Sequence, residues 1–272
     1  MSQADGLSAT VKSSESIGPQ IAAVAGGWRE SILVLAMVLA PVPLAIIMVA
    51  TGVFAIAGWQ IVRGVPVEMP TSADLQLYGL LSYIVINWID VAAVWLWSSR
   101  RALRRDVFMF HRLTWAALTA SMVCFVIAMY GAPIMTHWLS HATGGRGPEV
   151  RINFHDTQSV AIYVLLFVIT APVCEEILYR GLLVAWLRRV GWRDSTIWLA
   201  GSLIFGANHL IPLGLVWSAV MVVFGAMLFA LRLRYDSLTP AWLAHFLFNA
   251  QPFLSYPLLT WLAPALLPGH LS

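Results

Sequence analysis

Charge is what this sequence has least of. Of its 272 residues, 11% are Asp, Glu, Lys or Arg, where soluble domains carry roughly 25%. The hydrophobic share is 60% and the mean hydropathy is +0.78, which excludes an ordinary soluble domain. Lysine is nearly missing, with Lys12 the one example among 16 basic residues. The arginines are spread over short loops, so the pI near 9.1 reports membrane topology and gives no sign of a nucleic-acid partner. Two cysteines, Cys124 and Cys174, lie in apolar segments, which argues against a disulfide framework. The first residues are polar and contain no short apolar core before a small-residue cleavage site. An uncleaved, disordered tail over residues 1–30 is therefore expected, ahead of a membrane domain at 31–272. Three common protease signatures are also missing: a Gly-x-Ser-x-Gly elbow, a His-Glu-x-x-His zinc helix, and a cysteine flanked by partners.

What is present is a series of long apolar runs. Spans are expected at about 31–61, 75–97, 113–135, 158–187, 196–211, 215–231, 238–250 and 253–267. The first is interrupted by Pro41 and Pro43 and should be tilted or kinked. The last two are short, and partial or re-entrant helices would suit them. The densest basic loop, residues 98–112, holds Arg100, Arg101, Arg104, Arg105 and Arg112. Placing it in the cytoplasm leaves only Arg63, Arg146 and Arg151 in outer loops. The positive-inside rule then predicts an all-α, polytopic protein of about eight helices in the inner or plasma membrane, with both termini cytoplasmic. No internal repeat is evident.

Within the fourth span, residues 171–181 read A-P-V-C-E-E-I-L-Y-R-G. Ionisable groups inside a bilayer are costly and mark function by default. Glu176 and Arg180 are four apart with the acid first, the favoured order for a helical ion pair. Glu175 points about 100° away. One glutamate is then structural and the other is free for chemistry. The plainer alternative is that both acids serve only to hold helices together through arginines.

Of seven histidines, His209 and His245 lie inside apolar spans. Phe205 precedes His209 by one turn, and Asn249 follows His245 by one turn. Counted at about 1.5 Å per residue, Glu175 and His245 lie on the order of 14–20 Å from the inner boundary, with His209 at a similar depth or slightly deeper. Three helices therefore bring an acid, two histidines and an amide toward one layer. Asp90, in the second span, suits either a pairing with Arg180 or another helix, or the wall of a cavity.

These segments resemble the intramembrane CAAX-protease and bacteriocin-processing family, also called the ABI family and related to the Ras-converting prenyl endopeptidases. Its Glu-Glu-x-x-x-Arg motif matches Glu175, Glu176 and Arg180. Its Phe-x-x-x-His motif matches Phe205 and His209, and its His-x-x-x-Asn/Asp motif matches His245 and Asn249. The resemblance covers a core at about 158–251. It implies that Glu175 is the catalytic glutamate, with Glu176 and Arg180 as a supporting pair. It further implies that His209 helps to hold the attacking water and that His245 and Asn249 face the scissile carbonyl. A glutamate base and amide or imidazole donors are what peptide hydrolysis needs. Glu175, His209 and His245 could equally bind zinc with a fourth water. A metal-free glutamate mechanism uses the same residues, and both stand open.

Three functions follow from these residues. The first is an endopeptidase that cuts a membrane-associated protein or peptide from within the bilayer. The second is a non-catalytic scaffold or immunity-type member of the same family. The third is a proton-coupled transporter, which the missing internal repeats disfavour.

Overall fold

The structure is a computed structural model that describes residues 27–145, 154 and 156–262, with the side chains of the final helix described through Leu254. Of the tail expected over residues 1–30, residues 1–26 lie outside the described residues, whereas residues 27–30 form the first turn of a helix. Among the described residues there are helices and connections and no strand. In chain order the helices are α1 (Gly27–Leu39), α2 (Pro41–Val62), α3 (Ser72–Arg100), the short α4 (Arg104–Val107) and α5 (Trp115–Thr143). They are followed by α6 (Thr157–Arg189), α7 (Asp194–Asn208), α8 (Leu210–Tyr235) and α9 (Thr239–Leu262). Five of them, α2, α3, α5, α6 and α8, are long and apolar enough to cross a membrane. The chain is an all-helical integral membrane protein. The expected count of eight spans is not confirmed.

Three departures from the expected spans have local causes. Pro41 and Pro43 lack the N–H groups that would continue the ladder to Met37 and Leu39, so the first span divides into α1 and α2 although Ala40 keeps helical dihedrals. The two short C-terminal spans are instead one helix, α9, which runs on through Pro252. A proline in an apolar helix need not end it, because neighbours can serve the freed carbonyl. The fifth span ends at Asn208, before Pro212. Pro212 lies in the first turn of α8, and the break in direction falls at Gly214, with φ 78° and ψ 174°.

The outer helices face lipid. Phe54, Ile56, Trp59 and Ile61 of α2 are all exposed, which suits a surface solvated by acyl chains. α6 is the opposite: every residue from Cys174 to Trp186 is buried. Close approach of its neighbours depends on small residues. A Cβ on Gly206 of α7 would lie 2.8 Å from the backbone carbonyl of Ser218 in α8, and one on Gly181 would lie 2.3 Å from the carbonyl of Val107 in α4. On one side of the bundle Glu30 of α1 ion-pairs with Arg101, and Trp186 donates to Ser31 at 3.0 Å. Arg188 holds both Asp194 and Asp236 and so ties the ends of α6, α7 and α8 together.

Candidate active site

The site is built around irregularities in α6. The segment Val164–Thr170 widens into a π-helix, and Glu176–Leu183 does so again, leaving Ala171–Glu175 as a short α-helical piece between them. Pro172 explains the first widening. In a regular α-helix its ring would press on the carbonyl of Val168, and the ladder steps to the wider spacing just before it, where Ala171 N–H bonds Leu166 O. The carbonyl of Phe167 thereby loses Ala171 as its α-helical donor, and Pro172 has no N–H to supply a π-helical one. Asn249 Nδ2 of α9 fills the gap at 2.8 Å. In the second π segment the Arg180 carbonyl accepts from Arg232 Nε at 3.0 Å, while Val184 N–H turns to Gly181 O. π segments inside α-helices occur often at functional sites.

The two glutamates divide their work as their spacing suggests. Glu176, fully buried, accepts from Arg180 at 3.3 Å. The Arg180 guanidinium lies between the rings of Phe205 and Phe229, 4.2 and 4.5 Å from their centroids, and reaches the carbonyl of Gly225 at 3.4 Å. The two aromatic faces and the carboxylate offset the cost of burying this cation, although its Nε has no hydrogen-bond partner among the described residues. The same carboxylate oxygen of Glu176 also lies 2.9 Å from His245 Nδ1. With Nδ1–H donated there, the Nε2 of a neutral His245 keeps its lone pair. That nitrogen faces Glu175, at 3.9 Å from Oε2.

Glu175 is buried, 6% exposed, and does not touch Arg180. Its Oε1 accepts from the Tyr83 hydroxyl at 3.3 Å. Its Oε2 has no hydrogen-bond donor among the described residues. This is a carboxylate with one oxygen held and the other open beside an imidazole.

His209 occupies the junction of α7 and α8, not a helix interior, with φ −87° and ψ −5°, a sparsely populated backbone region in which active-site residues recur. Its Nδ1 bonds Phe205 O at 2.7 Å, which leaves Nε2 free in the tautomer that donates from Nδ1. Its ring packs on Phe205 at 4.7 Å between centroids, and Phe205 meets His245 edge-on at 6.2 Å. Phe205 thus joins the two histidines. Asn249, one turn beyond His245, is tied to α6 through Phe167, so its amide already has one partner. Glu175, Glu176, Arg180, Phe205 and His245 therefore come together directly, His209 adjoins them across Phe205, and Asn249 braces the same helix upstream.

The donor types of Glu175, His209 and His245 suit zinc, and both histidines have Nδ1 engaged as metal-binding histidines usually do. Among the described residues, however, no three His, Cys, Asp or Glu side chains stand close enough together to hold a metal ion. The arrangement therefore does not fit a bound metal, and no step is derived through one. Asp90 makes no ion pair with Arg180, which is engaged with Glu176. It is buried in the face of α3 with Oδ2 unpaired. Both cysteines are free.

One site residue has little signature in the sequence. Tyr83 lies outside all three motifs. Its sign is positional: Tyr83, Asn87 and Asp90 follow i, i+4, i+7 and make a polar stripe along one face of an apolar helix.

Together the fold and site define an integral membrane protein with an acid–histidine constellation inside its helical bundle. Residues 157–251 match the family model of the Rce1-like type II CAAX prenyl endopeptidases, the group that the three motifs resemble. The match runs from the start of α6 into α9 and contains every motif residue. No curated protein and no solved structure matches the chain.

Proposed function

We propose that the protein is an intramembrane endopeptidase that hydrolyses a peptide bond in a membrane-associated protein. The observation that carries this reading is the unequal treatment of two adjacent buried acids. Glu176 Oε1 is held by both Arg180 and His245, whereas Glu175 has no arginine partner: its Oε1 accepts from the Tyr83 hydroxyl and its Oε2 stands 3.9 Å from His245 Nε2. Each acid leaves its Oε2 without a hydrogen-bond donor among the described residues, so what separates them is the arginine and not the open oxygen. A buried acid kept only for helix packing is expected to be paired with a cation as Glu176 is.

In the proposed reaction Glu175 Oε2 takes a proton from water as the water oxygen attacks the scissile carbonyl. His209 helps to hold that water. With His245 carrying a proton on Nε2 as well as on Nδ1, the tetrahedral oxyanion is stabilised by donors from His245 and Asn249, and the leaving amine takes the proton back from Glu175 as the C–N bond breaks. Burial within the bundle excludes bulk water and strengthens each of these interactions. The substrate is a membrane-associated protein or peptide, and the arginine-rich loops are assigned to the cytoplasmic side of the inner or plasma membrane with both termini there.

The test is to compare the peptide termini of membrane proteins in cells carrying the wild type, Glu175→Ala or His209→Ala at matched levels. Termini that require both side chains support the protease and identify its substrate. Identical termini in all three, with the wild type still rescuing a deletion phenotype, favour the non-catalytic scaffold. Zinc is a separate arm: activity lost to a chelator and regained with zinc alone would require His209 to close on Glu175 and His245.

A further inference from the structure

The segment that matches the protease family starts at residue 157, yet a side chain from α3, far upstream, reaches the central acid. Tyr83 Oη donates to Glu175 Oε1 at 3.3 Å across 92 residues of sequence. This is longer than the usual hydroxyl–oxygen distance of about 2.7–2.8 Å, as bonds to reacting groups often are before substrate binds.

Asn87, fully buried one turn along, donates to the Tyr83 backbone carbonyl at 2.8 Å. Trp88 Nε1 makes a separate bond between α3 and α6, to Thr170 Oγ1 at 3.2 Å, that involves neither Tyr83 nor Glu175. The consequence of the Tyr83 bond for Glu175 is geometric. Rotation about the last side-chain bond exchanges the two oxygens of a carboxylate. A donor fixed on Oε1 stops that rotation and keeps Oε2 toward His245 Nε2, 3.9 Å away. Tyr179, the other tyrosine beside the site, has a buried hydroxyl without a partner and does not do this.

We infer that Tyr83 is a positioning residue for the reaction, acting through Glu175, and that α3 is a working part of the active site. This rests on the endopeptidase reading above. The test uses the full chain in vesicles and an internally quenched peptide carrying the bond defined by the Glu175-dependent terminus. Tyr83→Phe keeps the ring and removes the hydroxyl, and a fall in kcat of roughly 10- to 100-fold with KM within about twofold is expected, the scale of a misplaced reacting group. Trp88→Phe is the control, because it removes another α3–α6 hydrogen bond that does not touch Glu175, and it should stay near wild type.

Ultraviolet resonance Raman supplies a readout without substrate. The tyrosine doublet component lost in Tyr83→Phe should shift toward a non-donating hydroxyl in Glu175→Ala. An unshifted component overturns the bond itself. Wild-type kcat in Tyr83→Phe alongside an inactive Glu175→Ala overturns the positioning role and leaves the protease intact. An equal loss in Trp88→Phe also overturns it, since any loosening of α3 would then suffice. Normal turnover in Glu175→Ala removes the endopeptidase mechanism, and this inference falls with it.

Discussion

His245 turns its Nδ1 to Glu176, at 2.9 Å, and thereby points Nε2 at Glu175. Two neighbouring acids on one helix thus relate differently to one ring: the first orients it and the second faces its free nitrogen. The arrangement sets different penalties for losing each acid. Glu176→Ala leaves Arg180, with no exposed surface, as an uncompensated buried cation, and breaking such a pair costs about 3–5 kcal/mol. It should lower the melting temperature in detergent sharply. Glu175→Gln should leave that temperature close to wild type and cut turnover by at least about 10²-fold, the low end for loss of a general base. Comparable melting losses in both variants would contradict this division of labour.

The bond from Asn249 to Phe167 makes a second, less obvious prediction. It exists because Pro172 cannot serve the Phe167 carbonyl. Asn249→Ala should therefore destabilise the protein by about 1–3 kcal/mol, the penalty of an unsatisfied buried acceptor, in addition to any loss of turnover. Adding Pro172→Ala restores an N–H to the ladder, so the stability cost of Asn249→Ala should shrink in that background. A double-mutant cycle on melting stability measures the coupling, and strictly additive effects would disprove it.

These two relationships show what the sequence makes legible and what it does not. The Glu176–Arg180 pair follows from an i, i+4 spacing, which survives even the widening of the helix. The meeting of Glu175 with His245 was readable from depth, because both lie at similar distances from basic loop ends. The π segments were not readable, since nothing in V-L-L-F-V-I-T distinguishes a wide turn from an α-turn, and only Pro172 hints at it. Pro252 lies inside α9 because in an apolar helix a proline marks a lost donor and not a helix end, whereas Pro212 stands in the first turn of α8, just past the end of α7 at Asn208. Tyr83 was hidden because a hydroxyl on a long apolar helix acquires meaning only when another helix supplies its acceptor.

Outside the bundle, the Arg188 network makes a pH prediction. Paired hydrogen bonds from Arg188, both 2.9 Å, hold the Asp194 carboxyl below its ordinary value. A depressed carboxyl stabilises the fold at pH values above its unfolded pKa of about 3.9, and the contribution is lost as pH falls through the lower folded value. Wild type should thus exceed Asp194→Asn by a constant margin above about pH 5, and the two should converge in acid. The Asp194 side chain is 53% exposed, so the margin should be no more than about 1 kcal/mol and should shrink in high salt. Thermal melts from pH 3 to 7 would check it. A margin that grows in acid would contradict the sign.

Gly214 offers a test of the site that touches none of its functional groups. Its φ of 78° with ψ of 174° lies in a region open essentially to glycine alone, and side chains forced there cost about 1–3 kcal/mol. Nothing lies within 4 Å of where its Cβ would be, so the penalty of Gly214→Ala is conformational and not steric crowding. The chain relieves such strain by moving the short turn between His209 and Gly214, which is anchored to His209 through Leu213 N–H at 3.0 Å. A displacement there moves the imidazole from its place against Phe205. Gly214→Ala should therefore reduce turnover by about tenfold or more with a modest loss of melting temperature, whereas Gly191→Ala, at a second positive φ of 88° in the loop between α6 and α7, carries a backbone penalty of its own far from His209 in sequence and should reduce stability alone. Kinetics of both variants at matched folded concentration separate a strained hinge at the site from strain in general. Equal effects on turnover would show that His209 owes nothing to the bend at Gly214.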